Sequence, residues 1–338
     1  MDIKKAQEFL TTTKRLYALY DDDVDGLTSY AQLFHLTKCE GTVVKSSPRV
    51  NQDYADVVER HKAQKLVILD KPIVEEEFFD AIRIPTLWVD HHEKQEHPDY
   101  VQYVNPQTDD PKDNRCTAYW MYKIAQQHLW LAAIGSISDW QLNDITQEFA
   151  KNNPTWLSES VTNPPQALFD EPIGHVIQVL GFNLKGQTSL VKKSIEHILQ
   201  IESIETFNDD SNTHVQFLKR RAVPMVEKYK QIRDLILKKK DDDVILYVYD
   251  DQTMSFTADL ANEVLYRTKK VVIIARKKSG EYKCSIRGPF AIRDALTKAL
   301  VGIDGYGGGH ENACGGCIQE HDFDRFFATF CDLVKDLS

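Results

Sequence analysis

The stretch Leu87-Trp88-Val89-Asp90-His91-His92 decides how this chain is read. A short apolar run with strand composition passes directly into an acid and two adjacent histidines. It is not alone, because three other acidic clusters follow apolar runs in the same way. Asp21-Asp22-Asp23-Val24-Asp25-Gly26 follows residues 16–20, Asp70 follows 66–69, and Asp139 follows 134–138. Most of these runs read as β-strands. In an open α/β sheet, ligands bind in the crevice beyond the carboxyl ends of the strands, so clusters at those ends can converge. Carboxylates gathered that closely repel one another and hold protons unless cations neutralise them. The pattern therefore implies a divalent-metal site.

Any one aspartate after a strand is better read as a helix N-cap or a turn former. The conjunction carries the weight, since a sheet has no structural need for acids at successive strand ends together with paired histidines.

At 338 residues the chain exceeds what one core usually holds, and two domains are expected. Its 41 basic and 51 acidic residues give a net charge of −10, which excludes a protein that coats nucleic acid by charge alone. A nuclease stays open, because metal ions can supply positive charge locally. The six cysteines (39, 116, 284, 314, 317 and 331) are scattered rather than spaced as a disulfide framework, and no basic-plus-apolar signal segment opens the sequence. A reducing cytoplasm is the expected compartment. No apolar run approaches the roughly 18 residues of a membrane helix, so a soluble protein with no membrane partner is expected.

Along the chain, an amphipathic helix is expected over 2–14. Strands at 16–20, 42–45, 66–69 and 87–89 then alternate with helices near 27–37, 54–61 and 75–82. That alternation predicts an α/β fold with a parallel sheet. Residues 116–128 and 129–136 read as helical, so the run before Asp139 can be a helix end. A helix over 143–152 stops at Asn153-Pro154, and 158–172 reads as irregular. Helical patterning resumes over 174–240, with Met225, Tyr229, Ile232 and Ile236 on one stripe. The charge run 238–243 marks a boundary. A second α/β unit follows: a strand at 244–249, a helix at 257–266, a hairpin of 271–275 and 282–286, a helix at 292–300, a glycine loop, a strand at 316–319 and a final helix. The expected division is a catalytic domain over 1–150, a helical connector over 151–240 and a smaller domain over 241–338.

These clusters, together with Ser285-Ile286-Arg287-Gly288 and Gly307-Gly308-Gly309-His310 downstream, resemble the DHH phosphoesterase family, named for its Asp-His-His motif. RecJ-type exonucleases, oligonucleotide-degrading nanoRNases and the second family of inorganic pyrophosphatases belong to it. The resemblance covers most of the chain. It implies a parallel-sheet DHH domain, a helical connector and a smaller α/β domain of the DHHA1 type.

The resemblance further implies two metal ions bridged by the acid of the second motif. By motif match, Asp21, Asp23 and Asp70 hold the first ion, and Asp25, Asp70, His91 and Asp139 the second. Asp22 is left as a turn residue. Many relatives begin the first motif with histidine, whereas here Asp21 stands in that place, as in RecJ-type enzymes. Oxygen-rich ligands with one or two imidazoles suit Mn²⁺, the favoured ion, or Mg²⁺. Such a pair supports in-line displacement at phosphorus. His92 is expected to donate to a phosphate oxygen, and Asp90 to orient a histidine ring. In the small domain, Arg287, Gly307, Gly308, Gly309 and His310 are implied as phosphate-binding, across a cleft from the metals.

Two features point elsewhere. Cys314 and Cys317 have the spacing of half a zinc site, but no second pair exists, and small residues packed under the glycine loop are the better reading. The cluster Lys219-Arg220-Arg221 with Lys228, Lys230 and Arg233 can guide a strand backbone, although a solvated helix face is favoured.

The expected activity is a Mn²⁺-dependent phosphodiesterase that trims single-stranded DNA or RNA, or short oligonucleotides, to nucleoside monophosphates. Its size resembles the nanoRNases, while the first motif and the long helical segment look closer to archaeal RecJ-like proteins. The rivals are a phosphatase or phosphodiesterase acting on a cyclic dinucleotide or bisphosphorylated nucleotide, and a RecJ-like replication scaffold that has lost its acids. Retention of the acids speaks against the scaffold, and the glycine-rich segment against a pyrophosphatase.

Overall fold

Strand and helix alternate from the start because short runs buried on both faces are followed by stripes with one polar side. A computed structural model describes the chain except residues 12, 13, 46, 240, 241, 252, 253, 336 and 338. It divides into two units, Met1–Ala222 and Val223–Ser338. The expected boundary run 238–243 includes residues 240 and 241, which lie outside the described residues.

In the first unit, α1 (Ile3–Leu10) precedes β1 (Leu16–Asp21), α2 (Val24–Thr37) and β2 (Glu40–Val44). The first helix is shorter than expected and ends at Leu10. A two-residue ladder joins β3 (Arg49–Val50) to β5 (Ile73–Val74), on either side of α3 (Ala55–Arg60) and β4 (Lys65–Leu69). Then come α4 (Glu76–Ile82), β6 (Thr86–Val89) and β7 (Val101–Val104). The five-stranded sheet has the order β2-β1-β4-β6-β7 with every pair parallel. Strands covered on both faces read as unbroken apolar runs, which is why β1, β4 and β6 were legible. The edge strand β7 was not, since Gln102 and Tyr103 are only partly covered.

Tyr17, Leu19, Ile68, Phe78, Phe79 and Trp88 form part of one core of this sheet. Helix α2 packs on α5 (Thr117–Ala125) and α6 (Leu129–Ser138). It begins three residues before the expected start, because the Asp23 side chain accepts from the Gly26 N–H at 2.8 Å and caps it. Gly26 is required there: a Cβ would lie 2.8 Å from the Asp21 carbonyl oxygen.

Helix α7 (Asp144–Asn152) stops where expected. The segment read as irregular contains α8 (Pro164–Phe169), started by the Asn163 cap and proline in the first turn. It is followed by α9 (Pro172–Asn183), α10 (Thr188–Ile198) and α11 (Thr213–Leu237), on which Met225, Tyr229, Ile232 and Ile236 are all buried.

The second unit contains β8 (Val244–Asp250), α12 (Thr257–Thr268), β9 (Val271–Lys278), β10 (Glu281–Arg287) and α13 (Arg293–Ala299). It ends with β11 (Gly305–Gly309), β12 (Ala313–Gln319) and α14 (Phe323–Lys335). Its sheet has the order β11-β12-β10-β9-β8, antiparallel except for β8 beside β9. Ile273, Ile286, Leu296, Phe326 and Phe330 belong to its core. The expected glycine loop is instead an exposed strand, because glycine faces glycine across its ladder: Gly307 opposite Gly316, Gly308 opposite Gly315. Strand β12 is accordingly longer than expected and contains both Cys314 and Cys317. Three residues apart on a strand, their side chains point to opposite faces, which removes the zinc reading. Among the described residues, no helix is long and apolar enough to cross a membrane, and the six cysteines are unpaired.

Candidate metal centre

The chain places acids where parallel strands run out. Asp21 ends β1, Asp23 caps α2 and Asp25 sits in its first turn, where a negative charge suits the helix dipole. Asp70 follows β4, Asp90-His91-His92 follow β6, and Asp139 terminates α6, a helix rather than a strand. Asp70 has a φ of +57°, a strained conformation for a residue with a Cβ, of the kind that persists where surroundings enforce it.

Candidate ligand atoms of Asp21, Asp23 and Asp70 lie within 4.8 Å of one another, and so do those of Asp70, His91 and His92. His91 Nε2 is 3.5 Å from Asp70 Oδ1 and 3.8 Å from Asp139 Oδ2. Its Nδ1 lies 3.1 Å from the Asn114 carbonyl oxygen. A carbonyl only accepts, so Nδ1 carries the proton and the Nε2 lone pair faces the acids.

Asp90 is fully buried and orients His92, not His91. It accepts from His92 Nδ1 at 2.8 Å, from the His92 N–H at 3.1 Å and from the Tyr103 hydroxyl at 3.2 Å. Burial alone would lower the His92 pKa, but the hydrogen bond and charge of Asp90 outweigh it and hold it above the usual value. Asp25 is also joined to α5: its two oxygens accept from the Thr117 and Ala118 N–H groups at 2.9 and 2.8 Å. Asp22 is half-buried in the turn.

Burial pushes Asp70 well above the usual carboxylate range, with the charges of Asp25 and Asp23 adding to it. Asp23 is reachable by solvent yet surrounded in the recess. Desolvation there, then Asp25 and Asp21, raise it to about 7. Asp139 is pushed to about 9 by burial and by Asp25 and Asp23. Carboxylates that must hold protons in the absence of a cation, beside an imidazole lone pair, are the donor set a hard or borderline divalent ion requires. The residues present fit such an ion.

Three side chains around the candidate ligands are not singled out by the sequence reading. Thr117 donates its hydroxyl to Asp70 Oδ1 at 3.0 Å. The Gln141 amide donates to Asp139 Oδ2 at 2.8 Å and to the Asn114 carbonyl at 2.6 Å, linking Asp139 to the atom that fixes His91. Lys71 places its Nζ 2.7 Å from Asp21 Oδ1. Of these, only Lys71 was within reach of inspection, since it directly follows Asp70.

In the second unit, Arg287 donates from Nε to Asn262 Oδ1 at 2.6 Å and from Nη1 to the carbonyls of Ile286 and Cys314, both at 2.9 Å. The guanidinium is thereby held in one orientation near β11. His310 is exposed, as are Gly307, Gly308 and Gly309. The basic cluster is largely occupied within its own units. Arg221 donates to the carbonyls of Asn183 and Lys185, Lys219 meets Asp210, Lys228 meets Asp251, and Arg233 meets Asp234 and Glu263.

Residues 15–151 match the model of the DHH family, N-terminal domain, and residues 241–336 that of the DHHA1 domain. Among solved structures, RecJ in complex with Mn²⁺ from Thermus thermophilus aligns with a TM-score of 0.67 at 17% identity, covering 98% of this chain and 54% of that one. This chain thus spans about half the length of that protein. An exonuclease RecJ bound to manganese gives 0.62 at 16% identity, covering 98% and 93%. CDC45 from Entamoeba histolytica gives 0.52 at 9% identity, covering 98% and 97%. Identities this low show a shared fold. No curated protein matches the sequence.

Proposed function

The chain belongs to the DHH/DHHA1 phosphoesterase family, and from that premise we propose a metal-dependent phosphodiesterase that trims single-stranded DNA or RNA, or short oligonucleotides, to nucleoside monophosphates. The observation that carries this reading is the convergence of Asp21, Asp23, Asp70, His91 and Asp139 around one recess, with Asp70 common to both candidate ligand groups. A scaffold would have no use for acids held at such electrostatic cost. Manganese-bound and magnesium-bound RecJ structures share the fold and support Mn²⁺, with Mg²⁺ as the substitute.

In this reading Asp21, Asp23 and Asp70 hold one ion, and Asp25, Asp70, His91 and Asp139 the other. When bound, such ions would supply Lewis-acid stabilisation of the phosphoryl group and a water of lowered pKa. Thr117 and Gln141 fix the rotamers of Asp70 and Asp139. Asp90 keeps the His92 proton on Nδ1 and raises the ring's basicity, so that a proton taken up at Nε2 can be donated to a phosphate oxygen. Arg287, Gly307, Gly308, Gly309 and His310 bind a substrate phosphate, Arg287 through its pre-oriented guanidinium. Residues 1–150 form the catalytic domain, 151–240 the connector and 241–338 the substrate-binding domain. The unpaired cysteines support a reducing cytoplasm as the compartment.

End-labelled RNA and DNA, from dinucleotide to about twenty nucleotides, test this with Mn²⁺ present or chelated. Mononucleotide products and an efficiency that levels off after a few nucleotides are expected, since most of the basic cluster is already paired. No release of mononucleotide from any length would overturn the reading.

A further inference from the structure

We propose that Lys71 is a built-in counter-cation for Asp21, making the two metal positions unequal: one ion binds tightly on the His91 side, and the ion on the Asp21 side binds weakly. This inference rests on the metal-dependent reading above. The Lys71 side chain is fully buried, and its ammonium sits 2.7 Å from Asp21 Oδ1 and 2.5 Å from the Ser47 carbonyl oxygen. Its backbone is fixed as well, because Trp88 Nε1 donates to the Lys71 carbonyl at 3.1 Å.

An ammonium taken out of water needs a partner to offset its lost hydration, and it has found one in an acid that would otherwise be free to ligate. The same Asp21 oxygen also accepts from the Asp22 N–H at 2.9 Å. A divalent ion bound through Asp21 must therefore share a carboxylate with a fixed positive charge, or displace it. Coulomb repulsion between the fixed ammonium and such an ion, which falls off only as 1/(ε·r), opposes binding at that position. Among the described residues, the hydrogen bonds of the Lys71 ammonium go to Asp21 and Ser47, and those of the His91 and Asp139 side chains to Asn114 and Gln141. The ion on that side has no such competitor in hydrogen-bond contact.

Mn²⁺ titration of the metal-free protein, with free Mn²⁺ counted by its electron paramagnetic resonance signal, tests this without any substrate. The wild type should take one tight equivalent and a second at least about tenfold weaker. Lys71→Met should strengthen the second equivalent by about tenfold or more and leave the first in place, while Lys71→Arg should keep the wild-type pattern. Two equal equivalents in the wild type, or a second equivalent unchanged or weaker in Lys71→Met, would overturn the proposal. If circular dichroism shows Lys71→Met unfolded, Asp21→Asn decides: it should lose only the weak equivalent, and loss of the tight one contradicts the inference. Absence of Mn²⁺ binding in the wild type would instead overturn the metal-dependent function itself.

Discussion

His91 and His92 are neighbours in sequence held by different partners, one by the Asn114 carbonyl and the other by Asp90. The motif singled out these residues as candidates; which hydrogen bond fixes which ring was set by β7 and by the turn before α5, elements the motif does not encode. Gln141 shows the same limit, because its amide matters only once the chain has folded Asn114 and Asp139 to either side of it. Gln141→Leu should cost roughly 10–100-fold in metal affinity or turnover while leaving secondary structure intact, the usual consequence of losing an outer partner of a ligand. Calorimetric Mn²⁺ binding would check it, and an unchanged dissociation constant would show that Asp139 needs no such support.

Elements were legible where one physical signal dominated. The buried strands β1, β4 and β6 and the hairpin of β9 and β10 announced themselves by apolar composition or by Ser279-Gly280 between two β-rich runs. Strand β11 failed because five residues that are mostly glycine carry no side-chain signal, and its pairing comes from backbone fit alone. Two of its glycines differ in consequence. A Cβ at Gly308 would meet nothing within 4 Å, whereas Gly309 has a φ of +138° and a Cβ there would lie 2.5 Å from the Ala313 carbonyl oxygen. Gly308→Ala should therefore leave stability within about 0.5 kcal/mol, and Gly309→Ala should lower it by about 1–3 kcal/mol. Urea denaturation of the two variants separates them, and equal midpoints would remove the strain argument.

At the scale of the whole molecule, the alternation of strands and helices was enough to give two α/β units, because each needs its own sheet and core. Stability should also carry a pH signature away from the metal centre. Burial, then the charges of His128 and Lys38, lower the His35 pKa from 6.5 to about 4. Between those values the unfolded chain binds a proton that the folded chain refuses, so this contribution is intact above about pH 6.5 and is lost as pH falls toward 4. His35→Gln should flatten the melting-temperature curve across that window; a parallel curve would show that His35 is not its source.

In the proposed function, acids at the strand ends hold the ions that hydrolyse a phosphodiester, with Asp70 common to both positions. Hydrolysis of a short single-stranded oligonucleotide by the full chain, compared between wild type and Asp70→Asn at saturating Mn²⁺, tests it most directly. Mn²⁺-dependent release of nucleoside monophosphate by the wild type, falling by at least about a thousandfold in a folded Asp70→Asn protein, is the expected result. Undiminished Mn²⁺-dependent hydrolysis by Asp70→Asn would contradict it.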